Sequence, residues 1–172
     1  MQSVGGAESI LFAVKAEAEK IDVFMRADLA RLKSNVDELL LEVLDYGLFN
    51  GGKRIRPLLV VLASRLCGKK DDESYRLGAA FEYLHAATLF HDDIIDKSET
   101  RRGNQSVYRK FGTIAAILAG DFLHAQAMAT VGKFSGQEGL DVFCKATTGM
   151  VDGEFAERRP CLSRDVVCEQ PV

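Results

Sequence analysis

Apolar residues recur at helical spacing along almost the whole chain, and nowhere in the alternating pattern of a half-buried strand. Over residues 7–46, Ile10, Val14, Ile21, Phe24, Leu29 and Leu32 follow that spacing in a stretch rich in Ala, Leu, Glu, Lys and Val and free of proline, which predicts two helices. Ser34 followed by Asp37 and Glu38 marks the start of the second, which runs to Leu44 or slightly beyond. Acids and bases alternate on the polar side of this stretch, so it reads as a packing layer and not as a helix lying on a membrane. The run LLVVLASRL at 58–66 could by composition be a buried strand. Because nothing else in the chain reads as its partner strand, and Pro57 and Cys67-Gly68 supply start and stop signals, a buried helix is predicted. A long helix follows over 73–96, whose Gly78, Ala79, Ala80, Ala86 and Ala87 let neighbours approach closely.

Residues 97–104 read as a polar loop and 107–133 as a helix burying Ile114, Ile117, Leu118, Phe122 and Ala125. Asp121 stands in the apolar middle of that helix, where an acid needs a partner: it pairs with an arginine or lies near a site. His124 there is expected to be packed and hydrogen-bonded. A last helix is predicted over 136–159. After Pro160 the sequence CLSRDVVCEQPV loses its periodicity, and 160–172 are expected to be an irregular tail.

At 172 residues and 47% hydrophobic the chain can bury one domain's core. It lacks both a run of about 18 uninterrupted apolar residues and a basic N-terminal region leading into an apolar one, so neither a membrane span nor a secretory signal is expected, and a cytoplasmic location is. Net charge is −3 and the basic residues are dispersed, which argues against nucleic acid as a partner. Cys67, Cys144, Cys161 and Cys168 show no CxxC spacing and no paired histidines; free thiols are expected, with Cys67 and Cys144 buried.

The chemistry concentrates in HAATLFHDDIIDKSETRRG, residues 85–103. On a helix at ~100° per residue, His85, Asp92 and Asp96 fall within roughly 20° of one line, with Phe81 and Thr88 beside them. Ionised carboxylates on an otherwise apolar stripe need cations. An i, i+4 pair of aspartates lies ~6 Å apart along the axis and suits magnesium, which accepts one or two protein carboxylates and completes its shell with water and phosphate oxygens. Arg101 and Arg102 follow, and guanidinium forks match phosphate oxygens. A DDxxD by itself is weak, because paired aspartates are common at solvated helix ends. Its weight here comes from the surrounding His85, Asp93, Arg101 and Arg102, and from a second basic cluster upstream. That cluster is GLFNGGKRIRP at 47–57: Asn50-Gly51-Gly52 breaks a helix, and Lys53, Arg54 and Arg56 follow where a new helix begins, either as an anion site or as a solvated loop.

DDIID followed by RRG, with GGKRIRP upstream, resembles the trans-isoprenyl diphosphate synthase (polyprenyl synthetase) family, and the agreement runs from about residue 47 to residue 154. The resemblance implies an all-α fold, the isoprenoid synthase-type helical bundle around a deep cavity, and a magnesium-dependent condensation of isopentenyl diphosphate with an allylic diphosphate to a longer trans-polyprenyl diphosphate. By residue, it implies magnesium (Mg2+) at Asp92 and Asp96 with Asp93 in support, isopentenyl diphosphate at Lys53, Arg56, His85 and Arg102, and the allylic diphosphate at Arg101. Asp92, Asp93, Asp96 and Arg101 are thereby the expected catalytic set, and the full-length form is expected to be a homo-oligomer, a dimer. Ala87 and Thr88, five and four residues before Asp92, are small where bulky aromatics block elongation in this family, so a product longer than farnesyl is expected. GGKR and RRG serve a second diphosphate, which disfavours a terpene cyclase.

Family members also carry a second DDxxD and a Lys-Thr pair, absent here, and Asp152 and Glu154 do not replace them at the right spacing. The expectation is a fold truncated to about its first half: residues 1–159 are the N-terminal part of the helical domain and 160–172 a non-family tail, from a truncated or frameshifted reading or a fragment. Half a bundle should expose its apolar cavity wall and associate. The alternative to an enzyme is a catalytically incomplete helical partner that binds diphosphate or another chain without turnover.

Overall fold

A computed structural model describes the backbone of residues 4–69 and 71–168 and the side chains of 12–69 and 71–159. The order is α1 (Val4–Leu32), α2 (Glu38–Phe49), α3 (Ile55–Leu66), α4 (Glu73–Ile95), β1 (Thr100–Arg101), β2 (Asn104–Gln105), α5 (Val107–Phe111) and α6 (Thr113–Cys168). Two compact units divide the chain after Thr130.

In the first unit α4 is the hub, touching α1, α2, α3 and α5. Its small residues make this possible. A Cβ on Gly78 would stand 3.0 Å from the Pro57 carbonyl oxygen, so α3 and α4 meet almost backbone to backbone. A Cβ on Gly47 would fall 2.1 Å from Cζ of Phe90, and this is why α2 passes Leu44 and continues through a glycine to Phe49: the missing side chain makes room for an aromatic ring from α4. Asp37, not Ser34, caps α2, its carboxylate accepting from the amides of Leu39 (2.9 Å) and Leu40 (3.4 Å). The core comprises Ile21 and Met25 of α1, Val43, Leu44 and Leu48 of α2, Val61 of α3, Ala79, Ala80 and Phe90 of α4 and Ala116, Ala119 and Leu123 of α6.

Several expectations are corrected. Helix α3 buries only Pro57, Leu58 and Val61, while Ile55, Leu59, Leu62 and Leu66 form an exposed stripe, because α1 and α4 cover one side only. The helix expected from 107 is broken at Gly112, whose φ of 91° no helix accommodates, into α5 and α6. The buried face of α6 is Ala116, Ala119, Leu123 and Ala127, and Ile114, Ile117 and Leu118 are exposed. Phe122 is half-buried and Ala125 exposed. The polar loop contains the short antiparallel β1–β2 hairpin. Cys67 and Cys144 are free thiols but not buried, Cys67 exposed and Cys144 half-buried; the side chains of Cys161 and Cys168 lie outside the described residues.

In the second unit, Gly136 (φ 65°, ψ −166°) interrupts α6 where a break was expected. The helix then continues to Cys168, so 160–168 are not irregular; 169–172 lie outside the described residues. Over Thr113–Arg159 this helix holds an 18-residue window of mean hydropathy 1.4 that is 33% buried, long and apolar enough by composition to cross a membrane.

Candidate active site

Helix α4 carries His85, Thr88, Asp92 and Asp96 along one stripe and ends in a motif that fixes its last turn. Lys97 adopts φ 54°, the Ser98 amide donates to the Asp93 carbonyl (2.9 Å) and the Lys97 amide to the Ile94 carbonyl (3.2 Å), the pattern of a Schellman cap with lysine where glycine is usual. Asp96 is thus the C-cap residue, exposed, with Asp92 half-buried one turn earlier.

The chain then reverses through the β1–β2 hairpin, whose two turn residues Arg102 (φ 53°) and Gly103 (φ 83°) both take the positive φ that a tight hairpin turn needs. Three contacts tie the hairpin to the end of α2: Tyr46 Oη donates to the Gln105 carbonyl (2.8 Å), Asn104 Nδ2 donates to Asn50 Oδ1 (2.6 Å), and Arg102 Nη1 donates to the Gly51 carbonyl. Arg101 turns the other way. Its Nε donates to both oxygens of Asp93 (2.8 and 3.0 Å) and its Nη2 lies 2.7 Å from Oδ1, a forked pair in which the Asp93 side chain is 2% exposed. The hydrogen bond to Asp93, followed by the negative field of Asp93, Asp92 and Asp96, holds the Arg101 pKa above its ordinary value despite partial burial.

The loop from Asn50 to Arg54 completes the arrangement. Gly51 (φ 82°) and Gly52 (φ 148°) turn it in backbone that favours glycine, and the guanidinium ends of Arg102 and Arg54 lie 2.8 Å and 3.2 Å from where a Cβ on Gly52 would stand. Arg54 points inward, while Lys53 and Arg56 remain exposed. Gly52, Lys53, Arg54, Ile55, Arg56, Glu82, His85 and Arg102 line an open pocket of about 530 Å³. Burial, with Arg56 next and Arg102 and Arg101 adding to it, holds the His85 pKa below its usual value against the opposing pull of Glu82. The imidazole is therefore neutral at neutral pH and offers one donor and one acceptor.

The structure thus brings Lys53, Arg56, His85 and Arg102 to one cationic pocket. It does not bring Asp92 or Asp96 into that pocket: they stand further along α4, with His85 and Asp92 ~10 Å apart along the axis. Asp93 is not beside them as a third open carboxylate, because Arg101 takes it up. Among the described residues no three His, Cys, Asp or Glu side chains converge to hold a metal. Two hard-oxygen carboxylates one helical turn apart nevertheless fit magnesium, which takes one or two from the protein. Asp121 is exposed on α6 with Oδ1 3.6 Å from His91 Nε2, which also lies 3.3 Å from the Ile117 carbonyl oxygen; its partner is a histidine, not an arginine. His124 is half-buried. Sequence reasoning missed the inward turn of Arg54 and its partners Asp22 and Glu82; the available signal was Glu82, an acid among the small residues of α4.

The sequence profile of the Polyprenyl synthetase family matches residues 37–169. The chain belongs to the polyprenyl synthetase family. It is 34% identical over 146 residues to the octaprenyl diphosphate synthase of Escherichia coli K12, a match covering 81% of this chain and 45% of that protein. Among solved structures it resembles the geranyltranstransferase of Thermotoga maritima (TM-score 0.76, 32% identity, covering 83% of this chain and 53% of that one). It also resembles a polyprenyl synthase of Caulobacter crescentus complexed with calcium and isoprenyl diphosphate (TM-score 0.70, 33% identity, covering 82% and 43%). The all-α isoprenoid synthase fold expected from the resemblance is the one found, and the chain spans less than half the length of the octaprenyl diphosphate synthase it matches.

Proposed function

We propose that this chain carries the isopentenyl diphosphate pocket and the first acidic motif of a trans-polyprenyl diphosphate synthase. The observation that supports this most is the convergence of Lys53, Arg56, His85 and Arg102 on one open pocket, beside a helix stripe that continues to Asp92 and Asp96. Three permanent cations match a diphosphate, and the neutral His85 supplies a directed hydrogen bond without adding charge.

In this reading isopentenyl diphosphate sits among Lys53, Arg56, His85 and Arg102, and the allylic diphosphate lies over Asp92 and Asp96, where magnesium would be held. Magnesium, when bound, neutralises charge that develops on the leaving diphosphate. In this reading Arg101 also contacts the allylic diphosphate, its orientation fixed by the fork onto Asp93, which offsets part of its charge. The allylic carbon–oxygen bond breaks with its electron pair leaving on diphosphate. The isopentenyl double bond then attacks the allylic carbon, and a proton is lost to the released diphosphate. Holding the two substrates along one helix supplies the orientational part of the rate. Thr88, small and half-buried on the same stripe, leaves room for a chain longer than farnesyl. A homodimer is proposed for the full-length form.

The test incubates the chain with labelled isopentenyl diphosphate, farnesyl diphosphate and magnesium and extracts lipid-soluble product; label appearing in polyprenyl diphosphate supports the reading. A second reading is a partner that binds diphosphate without turnover, since these 172 residues carry a single DDxxD. It is distinguished by tight pyrophosphate binding with no extractable product.

A further inference from the structure

We propose that Arg54, the middle cation of the KRIR run, is a positioning residue that aims Lys53 and Arg56 into the pocket, and not itself a diphosphate ligand. The inference rests on the diphosphate reading of that pocket. Arg54 is 4% exposed, and each of its three guanidinium nitrogens is engaged. Nε donates to Asp22 of α1 (2.7 Å), Nη1 to Glu82 of α4 (2.8 Å) and Nη2 to the carbonyl of Leu48 near the end of α2 (2.8 Å). Two carboxylates offset its charge, so it offers a bound anion little that Lys53, Arg56 and Arg102 do not.

Its backbone supplies the second half of the case. Arg54 has φ 50°, and a left-handed residue other than glycine persists only where its surroundings hold it. The three side-chain bonds are those surroundings. They pull Arg54 into the protein at the N-cap of α3, which leaves Lys53 of the loop and Arg56 of the first helical turn exposed on either side of it. Glu82 lies one turn before His85 on α4, so the Arg54–Glu82 bond sets the register between the loop cations and the imidazole they share a pocket with. Both groups of that bond are under 10% exposed, with side chains 4% and 7% accessible, so solvent cannot replace either partner.

The experiment compares the 172-residue chain with Arg54→Lys, which keeps the charge and loses the fork, and with the double variant Arg54→Gln/Glu82→Gln, which removes both buried charges and leaves Asp22, 42% exposed, to solvent. Inorganic pyrophosphate binding is measured by calorimetry without divalent ions, amide exchange is followed over residues 50–56, and thermal unfolding reports global stability. Both variants are expected to bind pyrophosphate about tenfold more weakly. Exchange should accelerate over 50–56 while the α1, α2 and α4 core stays protected, and the double variant should keep a cooperative melt. A double variant that binds as tightly as the parent, or whose exchange at 50–56 is unchanged or rises only in step with the whole chain, overturns the proposal. If the parent chain itself does not bind pyrophosphate, the diphosphate reading fails, and the exchange at 50–56 alone decides whether Arg54 positions the loop.

Discussion

Replacing Arg101 by glutamine tests the link between the hairpin and the acidic end of α4. The substitution removes the fork that closes on Asp93 at 2.7 to 3.0 Å and leaves a carboxylate whose side chain is 2% exposed without its cation. Breaking a buried ion pair in this way costs ~3–5 kcal/mol. The Arg101 side chain is 35% exposed, and water that reaches it also reaches part of the pair, which places the cost near the lower end, ~3 kcal/mol. For a chain of this size that corresponds to a fall of roughly 6–12 °C in melting temperature. Asp93→Asn should cost less, ~1 kcal/mol, because the freed guanidinium can turn to solvent. In the double variant the stranded charge is gone, so a cycle of urea melts followed by circular dichroism at pH 7 should give a coupling energy of ~2 kcal/mol. A coupling below ~0.5 kcal/mol, with Arg101→Gln costing less than ~1 kcal/mol, refutes the assignment of Arg101 as the cation that makes burial of Asp93 tolerable.

Gly47→Ala should destabilise by ~1–3 kcal/mol, since its Cβ would lie 2.1 Å from Phe90 Cζ, and Phe90→Leu should recover much of the loss; equal denaturation midpoints for Gly47→Ala and the parent would contradict the contact. His85 should titrate below the usual histidine value, read from its imidazole C–H resonances. Because the folded value is depressed, the unfolded chain binds the proton more readily, and stability present above about pH 6.5 is lost as pH falls through the folded pKa; a His85 titration at or above the ordinary value is incompatible with this. Thr88→Phe should shorten the longest product without unfolding the chain, whereas Ala87→Phe should chiefly destabilise, because Ala87 is 3% exposed and has no room for a ring; chromatography of products and melts of both variants separate the two effects. The exposed Ile55, Leu59, Leu62 and Leu66 of α3, with Ile114 and Leu118 of α6, should make the chain self-associate, and a monodisperse monomer by light scattering would count against that.

Much of this was legible in the residues. Helical periodicity, Gly-Gly and Cys-Gly breaks and one proline fixed the helix count near the site, since these signals act over a few residues and need no partner. The DDIID and GGKRIRP motifs identified the side chains that carry charge, because ionisable residues on an apolar helix are informative wherever they point. Which face a helix buries was less legible. Helix α6 buries Ala116, Ala119, Leu123 and Ala127 and exposes Ile114, Ile117 and Leu118, a choice of face that hydrophobicity along the helix does not make.

The sequence by itself determined the fold class and the inventory of cations and acids, since local propensity and charge are properties of single residues and their near neighbours. Only the tertiary structure decided which of those charges are taken up in pairs and which stay open. Arg54 and Arg56 are two residues apart in one basic run, yet Asp22 and Glu82, 32 and 28 residues from Arg54 along the chain, draw Arg54 inward and leave Arg56 exposed. Arg101 and Arg102 are adjacent, and a hairpin sends one to Asp93 and the other to Gly51. For Arg54 the physical reason is that a buried charge goes where an opposite charge is available at short range, and here that availability comes from residues distant in sequence.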